Sequence, residues 1–171
     1  MELIEIVDKD GNFTGEVVDK EYAYDHNLLH NEVGIFIIND KGETLLQKRS
    51  ANKRFNANKW AICAGHVDAY ESIEDAAIRE VKEEIGLDIP KDKLLKYDNP
   101  EFVIRDTNSH LTHYFYVKTN KKKSEFIIQE EELSEVKWVK IDEVINRIKD
   151  HDETLVFNEN RIRLFEGLKN V

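Results

Sequence analysis

Three carboxylates within one helical turn mark the part of this chain equipped for chemistry. Glu80, Glu83 and Glu84 stand at i, i+3 and i+4 in the run Arg79-Glu80-Val81-Lys82-Glu83-Glu84-Ile85-Gly86-Leu87. A helix would carry all three on one face. Like charges at that spacing destabilise an isolated helix by about 0.2–0.5 kcal/mol per pair. A cluster that costs stability implies an occupant, and a hard divalent cation, which takes oxygen ligands, is the natural one. The chemistry of such an ion is to neutralise anionic substrate oxygens and to lower the pKa of a water beside them.

The sequence must supply a helix to hold these groups, and its signals are clear. Ser72 and Asp75 form a capping signature. Ile73, Ala76, Ala77, Val81 and Ile85 recur at helical spacing, with Ile78 flanking. Gly86 stands where a left-handed residue ends a helix, and Pro90 follows. The helix is therefore expected over residues 73–85. The loop from Gly65 to Glu71 leads into its N-terminus, and the Gly65 carbonyl is a candidate for a metal's oxygen shell.

The full pattern is Gly65, five residues, Glu71, seven residues, then Arg79-Glu80-Val81-x-Glu83-Glu84-x-Gly86-Leu87. It resembles the signature box of the Nudix hydrolases at every fixed position. The strand–turn–strand before the box and Glu135-Val136-Lys137-Trp138-Val139 after it extend the resemblance over roughly residues 30–150. The resemblance implies an α/β/α sandwich with a central mixed sheet. It also implies Mg²⁺- or Mn²⁺-dependent hydrolysis of a diphosphate bond in a nucleoside diphosphate derivative or related organic diphosphate. Glu80 and Glu84 then become metal ligands, and Glu83 a third ligand or the holder of a water on the metal. Arg79 and Glu71 orient these groups, with a salt bridge expected from Arg79 to a box glutamate. The general base is Glu80, Glu83 or one of Glu130, Glu131 and Glu132. Tyr70 departs from the glycine common at its position, so it either narrows the loop or offers an aromatic face to substrate.

The N-terminal half resembles a particular branch, the isopentenyl-diphosphate isomerase-like proteins. The residues concerned are Glu5-Ile-Val-Asp-Lys-Asp-Gly-Asn12, Leu28-Leu-His30, Leu46-Gln-Lys-Arg-Ser50, Trp60 and Gly65-His66-Val67. By this match Arg49 and Lys53 fall where the isomerases contact diphosphate, and His30 and His66 fall on two metal-ligand positions. A substrate-phosphate contact and a loop histidine satisfied by backbone are the other readings of His66. The isomerases' cysteine position holds Ala64 here, with Cys63 one residue early, which turns the thiol to the opposite face of a strand. Their downstream acidic position falls near His113, and another metal histidine falls near Ala23. The chain thus combines isomerase-like architecture with hydrolase machinery. Isomerase-like activity and a non-catalytic nucleotide-binding sensor are the alternatives. Taken by themselves, His26, His30, His110 and His113 are too dispersed to suggest a metal site. Trp60 and Trp138 read as packing residues, with base stacking as the other option.

The remaining features bound the setting. The 171 residues suit one domain: an N-terminal extension with a hairpin (1–28), a core (30–150) and a C-terminal helix (151–171). Strands are expected near 2–7, 13–18, 33–38, 43–48, 102–105, 111–118 and 136–141. Helices are expected at 142–148 and within 158–168, while 20–28 is ambiguous. One cysteine excludes an internal disulfide and fits a reducing cytoplasm. No apolar run is long enough to span a bilayer, and no secretory leader is readable. The net charge of −10 argues against nucleic-acid or anionic-membrane partners. A diphosphate would need the metal and the local patch Lys48, Arg49, Lys53, Arg54 and Lys59 to overcome that repulsion. A homodimer is expected from the resemblance alone.

Overall fold

Val33–Ile38, the longest apolar run near the box, lies at the centre of the computed structural model, which describes residues 1–171. The run is continuous because both its faces are covered. Val33, Ile35 and Ile37 pack toward Ala76, Ala77, Val81 and Ile85. Phe36 and Ile38 point the other way, into a second cluster with Val144, Ile145 and Phe165. The two-residue period of a strand produces this division.

The strands are β1 (Leu3–Val7), β2 (Phe13–Asp19), β3 (His30–Ile38), β4 (Glu43–Arg49), β5 (Trp60–Ala61), β6 (Cys63–His66), β7 (Leu95–Lys96), β8 (Glu101–Val103), β9 (His110–Lys118) and β10 (Leu133–Lys140). The helices are α1 (Lys20–Asp25), α2 (Ile73–Ile85), α3 (Ile141–Lys149) and α4 (Ile162–Leu168). The sheet is mixed. β3 runs parallel to β9, with His30 opposite His110 and Ile38 opposite Lys118. It pairs antiparallel with β6, and β4 pairs antiparallel with β10. A parallel pair needs a long connection, and α2 lies within it. With α2 on one face and α3 and α4 on the other, the architecture is the expected helix–sheet–helix sandwich.

Local signals account for the helix ends. The Ser72 hydroxyl accepts from Asp75 N at 3.1 Å, and Gly86 closes α2 at φ 70°. α2 therefore spans the expected residues. In the N-terminal hairpin, the Asp8 carboxylate accepts from Asp10 N at 2.8 Å and Asn12 N at 3.0 Å. The ambiguous segment after it becomes α1, capped by Asp19.

Two expectations need correction. The expected strands leave the stretch between β4 and α2 without one, yet it contains β5 and β6. These strands are too short to show periodicity and are defined by pairing with β4 and β3. The C-terminal helix begins only at Ile162, after a 3₁₀ turn at Glu159–Arg161. No helix is long and apolar enough to cross a membrane.

Candidate active site

The buried side of α2 carries charge as well as apolar groups. Glu80 and Glu84 are only 7% and 6% exposed. Glu83, one turn from Glu80, remains largely in solvent. Burial pushes Glu80 well above the usual carboxylate range; Glu84 adds to this and Arg79 opposes it. Burial likewise pushes Glu84 up to about 7, against hydrogen bonds from Gln47 and Cys63. Two acids held this way have too little opposing charge of their own.

Arg79 organises the rest. Its Nε and Nη2 donate to the two oxygens of Glu71 at 2.8 and 2.9 Å. Its Nη1 donates to Glu80 at 2.8 Å and Glu83 at 3.3 Å, and Nη2 also reaches the His66 carbonyl at 3.1 Å. The expected salt bridge is thus a network that uses all five donors. Burial would raise Glu71, but its Arg79 partner holds it below its ordinary value.

Gly65 on β6 lies against this cluster. A Cβ there would sit 2.3 Å from the Glu80 carboxyl carbon. Only a glycine leaves the backbone that close to the acid. The donors that the box offers, Glu80, Glu83 and Glu84, are all oxygen, a chemistry that fits Mg²⁺ or Mn²⁺.

The family model for the NUDIX domain matches residues 28–158. The chain belongs to the NUDIX family. It is 34% identical over 141 residues to "Isopentenyl-diphosphate Delta-isomerase 2" of Photorhabdus laumondii, covering 82% of this chain and 78% of that protein. It is 27% identical over 167 residues to "Prenyl-diphosphate phosphatase" of Methanosarcina mazei, covering 96% and 95%. A crystal structure from Deinococcus radiodurans superimposes with a TM-score of 0.71 at 19% identity, covering 97% of this chain and 98% of that one. That last likeness bears on the fold alone.

The Nudix box opens onto a cavity of about 660 Å³ whose wall includes Gly65, His66, Arg79, Glu80, Glu83 and Glu84. Glu71 is absent from the wall and reaches the cavity lining only through its hydrogen bonds with Arg79. Arg49 and Lys53 also line the cavity. Arg49 uses its Nε on the Phe55 carbonyl at 2.9 Å. Lys53 pairs with Glu132, which is the one residue of Glu130, Glu131 and Glu132 on the wall. His66 Nε2 lies 3.1 Å from Asp68 Oδ1, so its ring has a local carboxylate partner and not the backbone one expected.

Cys63 is fully buried and off the cavity wall, whereas Ala64 is on it. The one-residue offset therefore has its expected effect. Tyr70 corrects an expectation. It is 80% exposed, adopts φ 67° and does not line the cavity, so its ring is not part of the cavity wall. The histidines give a further correction. His30 and His110, far apart in sequence, are brought together around Glu32 because they oppose each other in the β3–β9 register. Gln47 was not foreseen either. It is buried on β4 and donates to Glu84 Oε2, a contact no local sequence signal reports.

Proposed function

We propose that this Nudix protein hydrolyses the phosphoanhydride bond of an organic diphosphate. The observation that carries the reading is the pair of buried acids on α2, Glu80 and Glu84, with Glu80 packed against the Gly65 backbone. Glu80, Glu84, Glu83 and the Gly65 carbonyl would hold Mg²⁺ or Mn²⁺, which supplies charge neutralisation and a more acidic water when bound.

The chain's own groups do the remaining work. Arg79 fixes Glu80 and Glu83 through direct hydrogen bonds. Gln47 fixes Glu84 from the other side. Arg49 lines the cavity with its Nη groups unspent and is the better-placed phosphate contact. Lys53 contributes only by exchanging Glu132 for substrate oxygens. Glu83 is the most open of the box acids and takes the proton of the attacking water. The water's oxygen bonds to the terminal phosphorus, the anhydride P–O bond breaks, and the organic monophosphate leaves with the bridging oxygen while the attacked group becomes inorganic phosphate.

The organic part of the substrate faces a wall that includes Ile62, Ile104, Tyr114, Val156 and Phe157. These apolar residues within a mostly polar wall, with the name of the Methanosarcina relative, favour a prenyl diphosphate over a nucleotide. Isomerisation is disfavoured by the burial of Cys63, which leaves no thiol on the cavity.

The test is phosphate release from prenyl diphosphates, isopentenyl diphosphate and nucleoside diphosphate derivatives, with Mg²⁺ and with Mn²⁺. Release that disappears in Glu84→Gln supports the reading. An allylic isomer formed from isopentenyl diphosphate, without phosphate, would overturn it.

A further inference from the structure

We propose that Arg54 is a positioning residue: it fastens the β4–β5 loop to α1 and, through that loop, sets the pose of Arg49 toward the substrate's phosphates. The inference rests on the hydrolase reading in taking Arg49 as a phosphate contact.

The loop between β4 and β5 has little backbone support at its tip. None of the N–H groups of Arg54, Phe55, Asn56 and Ala57 donates to another backbone group. Asn56 and Asn58 turn the chain at φ 53° and 62°, in the left-handed region that asparagine tolerates. A segment held this way opens readily unless its side chains tie it down.

Arg54 supplies the tie. Its Nη1 donates to Glu21 and its Nη2 to Asp25 Oδ1 at 2.6 Å, both acids lying on α1. The guanidinium stands 5.9 Å from the Tyr24 ring centroid and 5.0 Å from that of Phe55. Those two rings meet edge-on, 5.7 Å apart. A lone exposed ion pair would fix little, but here one planar cation meets two carboxylates and two aromatic rings. Its anchor is firm. Ala23 is fully buried in a cluster with Ile4 and Ile6, and the Tyr24 carbonyl accepts from Thr107 Oγ1 at 2.6 Å.

The link to the chemistry is the residue after Arg54. The Phe55 carbonyl accepts from Arg49 Nε at 2.9 Å, which orients the Arg49 guanidinium and leaves its Nη groups for a ligand. Phe55 from the loop and Tyr24 from α1 both line the cavity, so the tie also holds that part of the wall together. Arg54 is not itself equipped to attract phosphate. Two carboxylates against one cation leave its group net negative. The basic patch seen in the sequence therefore divides, with Arg49 turned to the ligand and Arg54 to the loop.

The experiment is calorimetric titration of the whole protein with methylenediphosphonate in saturating Mg²⁺, beside phosphate-release kinetics. Two variants break the tie from opposite sides: Arg54→Ala, and Glu21→Gln combined with Asp25→Asn. Each should weaken diphosphonate binding about tenfold and raise KM by a similar factor, with kcat little changed. Arg54→Ala made in an Arg49→Ala background should add no comparable loss, because Arg54 acts through Arg49. Tighter binding in the Glu21 and Asp25 variant would mark Arg54 as a direct phosphate contact and overturn the proposal. Additive losses in the Arg49 and Arg54 double variant would overturn it too, as would unchanged binding in both tie-breaking variants or a wild type that does not bind the diphosphonate. Binding needs no turnover. A wild type that takes up the diphosphonate and releases no phosphate would refute the hydrolysis, while the titrations still decide the role of Arg54.

Discussion

Arg79 and Glu71 meet along two parallel hydrogen bonds, Nε to Oε2 at 2.8 Å and Nη2 to Oε1 at 2.9 Å. Glu71 Oε1 also accepts from Asp68 N at 3.1 Å, so the fork is tied to the loop that precedes α2. The pair joins the two ends of the box, and everything Arg79 holds toward the cavity depends on it. A lysine has no planar fork and cannot reproduce this geometry. Arg79→Lys should lower activity by roughly 10–100-fold, as loss of a second-layer support does. It should also cost about 3 kcal/mol of stability, because Glu71 and Glu80 lose their partner in a half-buried setting. Denaturant unfolding and phosphate release would measure the two effects separately.

Glu84 should make stability depend on pH in an unusual direction. Its carboxyl is raised from 4.5 to about 7 in the folded chain, chiefly by burial. Between those values the unfolded chain has lost the proton that the folded chain keeps. Stability without metal should therefore fall as pH rises from about 4.5 to about 7, by roughly 3 kcal/mol, and then level off. Saturating Mg²⁺ should oppose this, because its binding needs the ionised acids and strengthens as pH rises. Thermal melts across pH 5–8, with a chelator and with Mg²⁺, would show the two trends. Glu84→Gln should make the chelator curve shallower, leaving the part that the raised Glu80 carboxyl contributes in the same direction. An unchanged slope in that variant would assign the effect elsewhere.

Gly65→Ala should be far more damaging than its size suggests. The new methyl would meet Glu80 carboxylate atoms at 2.3 Å. Either Glu80 or β6 must move, and a shift of about 1 Å at a catalytic centre can cost about a hundredfold in rate. The expected result is activity reduced to that extent with the fold retained, read by kinetics beside circular dichroism.

Features governed by neighbours in sequence were the legible ones. The α2 boundaries follow from Ser72 and Gly86, each acting within a few residues. The box acids and Arg79 were readable because one helix carries them. Gln47 was not readable, since it reaches Glu84 from another strand. The His30–Glu32–His110 group was hidden for the same reason, because strand register brings it together. β5 and β6 lacked the length to show a period. Glu132 could be separated from Glu130 and Glu131 only once the loop's path placed it on the cavity wall.

Tyr70 offers a test of local strain. At φ 67° it holds a left-handed conformation that costs a residue with a side chain about 1–2 kcal/mol. Its ring is exposed and recovers little of that. Glycine would remove the strain but lose more chain entropy on folding, about 0.5–1 kcal/mol. Tyr70→Gly should leave stability unchanged or raise it by up to about 1 kcal/mol, with activity intact. A large loss of activity would show that the ring takes part after all.

The parallel pairing of β3 with β9 also governs when the cavity comes into being. α2, with its acids, can form from local contacts, but His30 meets His110 only when two distant segments close. Closing such a loop costs entropy before any contact repays it, so pairings of this kind form slowly. The binding site is thus a late product of folding. During refolding, helix signal should appear before the ability to capture ligand, and a chain paused between the two would carry its box with nothing opposite it.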